Sequence, residues 1–270
     1  MKKEEVNVAP DGSHVLNSYE VERQTRRCLA AMPVVGAAST VIALRQLAKQ
    51  VVWDNCMLLR VVVQTIVAEV YASPDSTSEL ADVCHHLVWD RGIDGMSAQQ
   101  LLVLACQNSY DAYWQQVSFA AAEKKRPGLE ITPGVALCRL GPCGRELMQF
   151  YGYLFCLEIL PERFVIHVVL EHVRHVRELP EERLHDLACL LEICGPKLAV
   201  ADQNRAVLAQ MLVIMQMAVA TPLISFKRQQ LLRLLVLMCY SWESAVAGAS
   251  SVREMAHNAL ATEDTSKVQS

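Results

Sequence analysis

Cys84-His85-His86 and the pair His172 and His175 are where this chain could hold a metal ion. Three residues apart, His172 and His175 share one face of a helix, and Glu171 or His167 could add a ligand. The pattern lacks the paired Cys-x-x-Cys spacing that makes a zinc site specific, and Cys138 and Cys143 stand alone. Histidines on helix surfaces are far more often ordinary residues, so no metal is assigned. Nucleophilic and nucleotide chemistry find no foothold either. The chain has no G-x-S-x-G, no P-loop, no G-x-G-x-x-G after a strand and no kinase set. The acidic pair Glu181-Glu182 sits at a helix start, where it complements the macrodipole, a commoner role than catalysis. The sequence therefore predicts no catalytic residue, no cofactor and no enzyme.

Two basic patches remain. Lys124-Lys125-Arg126 opens a loop, and Lys227-Arg228 with Arg233 begins a helix near the end of the chain. Such patches are most often solvated faces, but either could meet phosphate or an acidic protein surface. No aromatic residues interleave with the cations, so single-strand stacking is poorly supported. With a net charge of −4 and a pI of about 6.1, the chain offers no global attraction for a polyanion. Any RNA contact, with Lys124, Lys125 and Arg126 as candidates, would be local, so contact with mRNA is expected to be weak or indirect.

The elements that must position these residues are helical. Apolar residues make up 52% of the 270 positions, with only 11 Gly and 10 Pro, which argues for a folded, helix-rich protein. The 10 cysteines are scattered and mostly fall at apolar helical phases, as core residues of a reduced, intracellular protein do. Met1-Lys2-Lys3-Glu4-Glu5 is followed by no apolar stretch of a secretory signal. Ala206 to Phe226 carries no charge and is long enough to span a bilayer. Gln210, Gln216, Thr221 and Pro222 interrupt it, so a buried helix is the preferred reading and no membrane is expected.

Helices are expected near 19–31, 38–52, 54–72, 77–89, 98–122, 144–160, 162–178, 181–194, 203–220, 224–241 and 243–260. In the third, Leu59, Val62, Val63, Ile66, Val67 and Val70 keep helical phase for too long to be a strand, despite their β-branching. Ser76 to Glu79 and Ser97 to Gln100 read as capping boxes. Pro161 and Pro180 suit first helical turns. In 181–194, Leu184, Leu187, Ala188, Leu191 and Cys194 form an apolar face. Gly195 is read there as a left-handed C-cap, with Pro196 stopping the helix. Residues 123–142 form a long internal loop, 1–17 a flexible lead-in and 261–270 a disordered tail. Paired helices at roughly 40-residue spacing point to an all-α fold, an α-solenoid of about five HEAT-like antiparallel pairs, in one domain over 18–260.

With the helices placed, four stretches in order resemble the HEAT-type middle domain of eukaryotic translation initiation factor 4G. Leu101-Leu102-Val103-Leu104-Ala105-Cys106-Gln107 with Tyr110 is similar to the family's leucine-rich Cys-Gln helix. Phe150-Tyr151-Gly152-Tyr153-Leu154-Phe155 is similar to its Phe-Ile-Gly-Glu-Leu-Phe helix. Glu181 to Leu198 resembles its Glu-Glu-x-Leu helix ending in Gly-x-x-Leu, and Ser225 to Trp242 its last helix, which closes on Trp. The likeness covers about 20–242.

The resemblance implies a non-catalytic translation-initiation scaffold in the cytoplasm. It would hold the two lobes of the DEAD-box helicase initiation factor 4A in a productive orientation on capped mRNA. The cap-binding factor 4E and poly(A)-binding protein would be reached, if at all, through the tails. Departures shift the implied contacts. The family's helicase-binding Leu-Gly-Asn aligns with Arg145-Glu146-Leu147, while Leu140-Gly141 lies five residues earlier. Its helicase-contacting Phe falls near Gln230. The implied helicase contacts are thus Leu140, Arg145, Lys227, Arg228 and Gln230. A related scaffold in nuclear cap binding, nonsense-mediated decay, splicing or poly(A)-binding-protein partnership is the alternative, and an RNA-binding module a further one.

Overall fold

The computed structural model describes residues 17–50, 56–89, 95–124, 144–221 and 225–242. The readings made for 1–16, 125–143 and 243–270, including the lead-in, most of the internal loop, the last helix and the tail, lie outside them. Among the described residues the structure is helical and contains no strand. It is an all-α fold whose successive helices pack as hairpins, the local packing of an α-solenoid. The chain divides into two compact units, 1–161 and 162–270.

The first unit holds α1 (Ser18–Gln50), α2 (Cys56–Ala72), α3 (Thr77–Trp89), α4 (Gly95–Lys124) and α5 (Gly144–Cys156). The two helices expected at 19–31 and 38–52 are the two arms of α1. They meet at a kink where Gly36 takes φ +80°, ψ 162°. That backbone is open to glycine and strained for other residues. Each arm has its own inward stripe, Val21, Thr25, Leu29 and Met32 before the kink and Thr40, Val41, Leu44 and Leu47 after it. By length and composition Ser18–Leu47 could cross a membrane, a test that core helices of soluble proteins also pass.

The Val-rich segment is a helix as expected. All six of its phased residues in α2, Leu59 through Val70, are buried. A 3₁₀ turn at Pro74–Ser76 leads into α3 at Thr77, where Thr77 Oγ1 donates to the carbonyl of Pro74 at 2.7 Å. The second capping box does not act as one. The helix α4 starts at Gly95, so Ser97 already lies inside its first turn. Burial of Leu147, Met148, Phe150, Tyr151 and Leu154 makes α5 the centre of this unit. Tyr151 Oη donates to the carbonyl of Cys106 at 2.8 Å, fixing α5 against α4.

The expected helix 144–160 ends early. Glu158 takes φ 63°, its N–H donates to Phe155 O and that of Ile159 to Leu154 O. These two bonds form a Schellman cap without glycine, which local sequence signals do not announce. The carbonyls of Glu158 and Ile159 both face Gln99 of α4, whose Nε2 lies 2.9 Å from Ile159 O and 3.4 Å from Glu158 O.

The second unit holds α6 (Glu162–Arg174), α7 (Glu181–Val200), α8 (Arg205–Val219) and α9 (226–242). Pro161 and Pro180 stand just outside their helices rather than in the first turns; Pro180 is the N-cap residue of α7. The expected stop at Gly195-Pro196 is overturned, because α7 runs through both to Val200. Gly195 keeps a helical backbone and is buried against the Trp242 ring of α9. A Cβ there would lie 2.6 Å from Trp242 Cε2 and closer still to Cζ2 and Cη2. Glycine is required here by the approach of an indole, not by a left-handed turn. Pro196 points to solvent, as does Glu192, whose carbonyl loses its helical donor and can turn to water. Leu198 and Ala199 beyond it are buried, which repays continuation.

Two ties fix the direction of α9. Glu181 at the start of α7 meets Ser225 at the start of α9, and Gly195 near the end of α7 meets Trp242 at the end of α9. The two helices therefore run parallel, side by side. The uncharged stretch 206–226 is not one span: α8 ends at Val219 and buries one face through Leu208, Met211, Leu212, Met215 and Ala218.

Candidate protein-binding surface

Three of the implied contacts, Lys227, Arg228 and Gln230, lie where α9 begins. Ser225 caps this helix, its Oγ accepting the N–H of Arg228 at 3.2 Å, as a serine at the N-cap does for the third amide. The same hydroxyl donates to Glu181 Oε1 at 2.7 Å. Lys227 Nζ stands 3.2 Å from Glu181 Oε2. The Ser225 hydroxyl, and next the Lys227 ammonium, hold the Glu181 carboxyl below its ordinary range. Glu181, expected only to complement a helix dipole, thus also ties α7 to α9.

Lys227 keeps most of its side chain in solvent, so it remains available to a partner despite that ion pair. Arg228 is different. Its Nη1 donates to the carbonyl of Arg177 at 3.0 Å, in the turn between α6 and α7, and the residue is half-buried. It is a fastener, and reversing its charge would disturb this corner directly. Gln229 Nε2 likewise donates inward, to Val219 O at 2.9 Å. Gln230 is exposed.

Sequence reasoning missed Phe226. It is 74% exposed at the first position of α9 and lies one turn before Gln230 on the same face. The signal was available, an aromatic beside the cap residue in a helix otherwise filled with leucine. In the first unit Arg145 is exposed at the start of α5. Leu140, Lys125 and Arg126 lie outside the described residues, as does the side chain of Lys124. Lys227, Arg228 and Gln230 are therefore the implied contacts that the structure brings together.

His172 is fully buried, and its Nδ1 donates to the carbonyl of Val168 at 2.8 Å. Burial depresses it to about 4. His175 lies on the surface with its Nε2 4.0 Å from a Glu171 carboxylate. On α7, Arg183 and Asp186, one turn apart, form a buried ion pair at 2.9 Å. Cys84 and Cys106 are buried, and burial pushes both thiols well up, so they behave as core residues. Among the described residues no cluster of three or more His, Cys, Asp or Glu could hold a metal ion.

No family model matches the chain. It is 24% identical over 211 residues, 72% of its own length, to eukaryotic initiation factor 4F subunit p130 of Saccharomyces cerevisiae. It spans 23% of that protein's length. By that sequence match alone, the chain is similar, at a distance, to a subunit of a translation-initiation factor.

Proposed function

We propose that this chain is a non-catalytic scaffold of translation initiation, acting as the middle domain of an initiation factor 4G over residues 18–260. The similarity to the yeast initiation-factor subunit over most of the chain carries the reading. The order of the helical motifs supports it. The partner we assign is the DEAD-box helicase initiation factor 4A, in the cytoplasm. A scaffold of this kind adds no chemistry. It raises ATP-driven unwinding by binding the productive arrangement of the two helicase lobes more tightly than the others.

Phe226, Lys227 and Gln230 at the start of α9 form one helicase contact, and Arg145 with Leu140 another. Arg228 stays in the reading as the residue that holds the α9 start in place. The cap-binding factor and poly(A)-binding protein would be engaged outside 18–260, and RNA through Lys124, Lys125 and Arg126.

Calorimetry of residues 1–270 with the cognate helicase, with ATPase activity followed alongside, tests this. Submicromolar binding with stimulated ATPase is expected, reduced about tenfold or more by Phe226→Ala with Gln230→Ala, since buried aromatic anchors dominate interfaces. Absence of binding by a protein whose circular dichroism is helical would reject the helicase reading. It would move the scaffold to another mRNA pathway.

A further inference from the structure

Along its length, α9 shows solvent a continuous stripe. Phe226, Gln230, Arg233, Leu237 and Tyr240 follow one another at spacings of 4, 3, 4 and 3 residues, and all are exposed. That is the alternation of a coiled-coil seam, which keeps a row of side chains facing a second helix. Leu234 widens it, and Leu237 is 64% exposed. The opposite side of α9 is already used, since Leu232, Leu235, Cys239 and Trp242 are buried. Tyr240 is held in place, its hydroxyl accepting a hydrogen bond from Gln216 Nε2 of α8 at 2.6 Å. Four large apolar side chains exposed on one helix, Phe226, Leu234, Leu237 and Tyr240, are more than the scattered exposure usual on protein surfaces.

Charge says what fits. From Arg205 to Trp242 the chain contains Arg205, Lys227, Arg228 and Arg233 and not one Asp or Glu. Arg233 sits at the midpoint of the stripe, seven residues from Phe226 and seven from Tyr240. A second copy pairing antiparallel over the whole stripe would set Arg233 against Arg233, with no carboxylate in either helix to neutralise them. Like charges face to face oppose such a pairing.

We propose that the outer stripe of α9 is a docking site for an amphipathic helix of a partner protein, apolar along its seam and acidic on its flanks. Leucine-type side chains of that helix pack between Leu234, Leu237 and Tyr240, and its carboxylates meet Arg233. The part of the stripe that this helix grips, Arg233 to Tyr240, lies beyond the corner assigned to the helicase and does not depend on that assignment.

Two synthetic three-heptad peptides test it against the full chain by fluorescence anisotropy. Both carry leucine at the seam, one flanked by glutamate and the other by lysine. The glutamate peptide is expected to bind, and the lysine peptide at least about tenfold more weakly. Arg233→Glu should weaken the glutamate peptide by a similar factor and relieve the lysine peptide, while Leu237→Asp should abolish both. Helicase affinity and circular dichroism should be unchanged in Leu237→Asp, which separates this site from the helicase corner. Equal binding of the two peptides, indifference to both substitutions, or no binding of either would overturn the proposal. So would a preference for phosphatidylserine vesicles over the glutamate peptide.

Discussion

Two helix ends in this molecule behave oppositely to their local sequence. The helix α5 stops at Cys156, where the chain reads Leu157-Glu158-Ile159-Leu160 with no glycine or proline until Pro161. The helix α7 passes through Gly195-Pro196, the strongest stop signal in the described helices, and continues to Val200. Tertiary contact decides both. At the first, Ile159 and Leu160 are buried once the chain turns, and Gln99 takes the freed carbonyl groups. At the second, the bare surface of Gly195 receives the Trp242 indole, and stopping there would leave Leu198 and Ala199 without burial. Punctuation residues decide a helix end where no long-range contact competes with them.

The indole–glycine contact breaks with the largest effect. Trp242→Ala removes a nearly buried ring and should cost about 3–4 kcal/mol in chemical denaturation. Gly195→Ala should cost about 2 kcal/mol in the native background, overpacking against the ring outweighing the gain in helix propensity. The sign reverses in the Trp242→Ala background, where the added methyl enters vacated space and alanine gains about 1 kcal/mol over glycine. Additive single and double variants would mean that Gly195 serves some purpose other than admitting Trp242.

Beside α7, acid should separate the two regions. His172 is held to about 4 in the folded chain by burial, against an ordinary 6.5. The unfolded chain takes up this proton first as pH falls, so its contribution is present above about 6.5 and lost between 6.5 and 4. The full loss is about 3 kcal/mol, reached below pH 4. Unfolding of the unit carrying His172 should therefore grow easier over that window. In His172→Phe, which cannot titrate, the dependence should flatten. An equally steep fall in the variant would assign the acid sensitivity to other groups.

Much of the molecule was legible in order along the chain. Leu59 through Val70 betrayed a helix by phase, and the break between the two arms of α1 fell where two separate helices were expected, in a stretch that holds both Pro33 and Gly36. Illegible were features that depend on a residue far away: Gly195 on Trp242, Gln99 on Ile159, Glu181 on Ser225. At the candidate surface the type of residue could be read and its freedom could not. Lys227 and Arg228 look equivalent in sequence, yet Arg228 is committed to the Arg177 carbonyl while Lys227 is not. Phe226 was overlooked because, on sequence, an aromatic in a leucine-rich helix reads as core.

The turn after α5 should yield less than the indole contact does. Gln99→Leu deletes the donor that Ile159 O and Glu158 O share, but both carbonyls lie close enough to the surface for water to replace part of it. The expected loss is about 1 kcal/mol, read as a lower denaturation midpoint at unchanged slope. A loss as large as that of Trp242→Ala would make this turn, not the α7–α9 contact, the more demanding of the two.

The smallest effect sharpens the comparison most, because it exchanges the logic of the two ends. Glycine at 158 would fit the left-handed backbone that Glu158 now occupies at φ 63°. Relief of the steric penalty of a Cβ there is worth about 1 kcal/mol, and the greater freedom of glycine in the unfolded chain takes back about half. Glu158→Gly should therefore stabilise the protein by about 0.5 kcal/mol, whereas any side chain at Gly195 destabilises it. Glu158→Val should lose more than 1 kcal/mol, because β-branching is poorly tolerated in that region. The helix should end at the same place in every one of these variants, since burial of Ile159 and Leu160 drives the turn. If Glu158→Gly instead destabilises the protein, the glutamate side chain itself holds the turn, and this end too depends on the residue that stands at it.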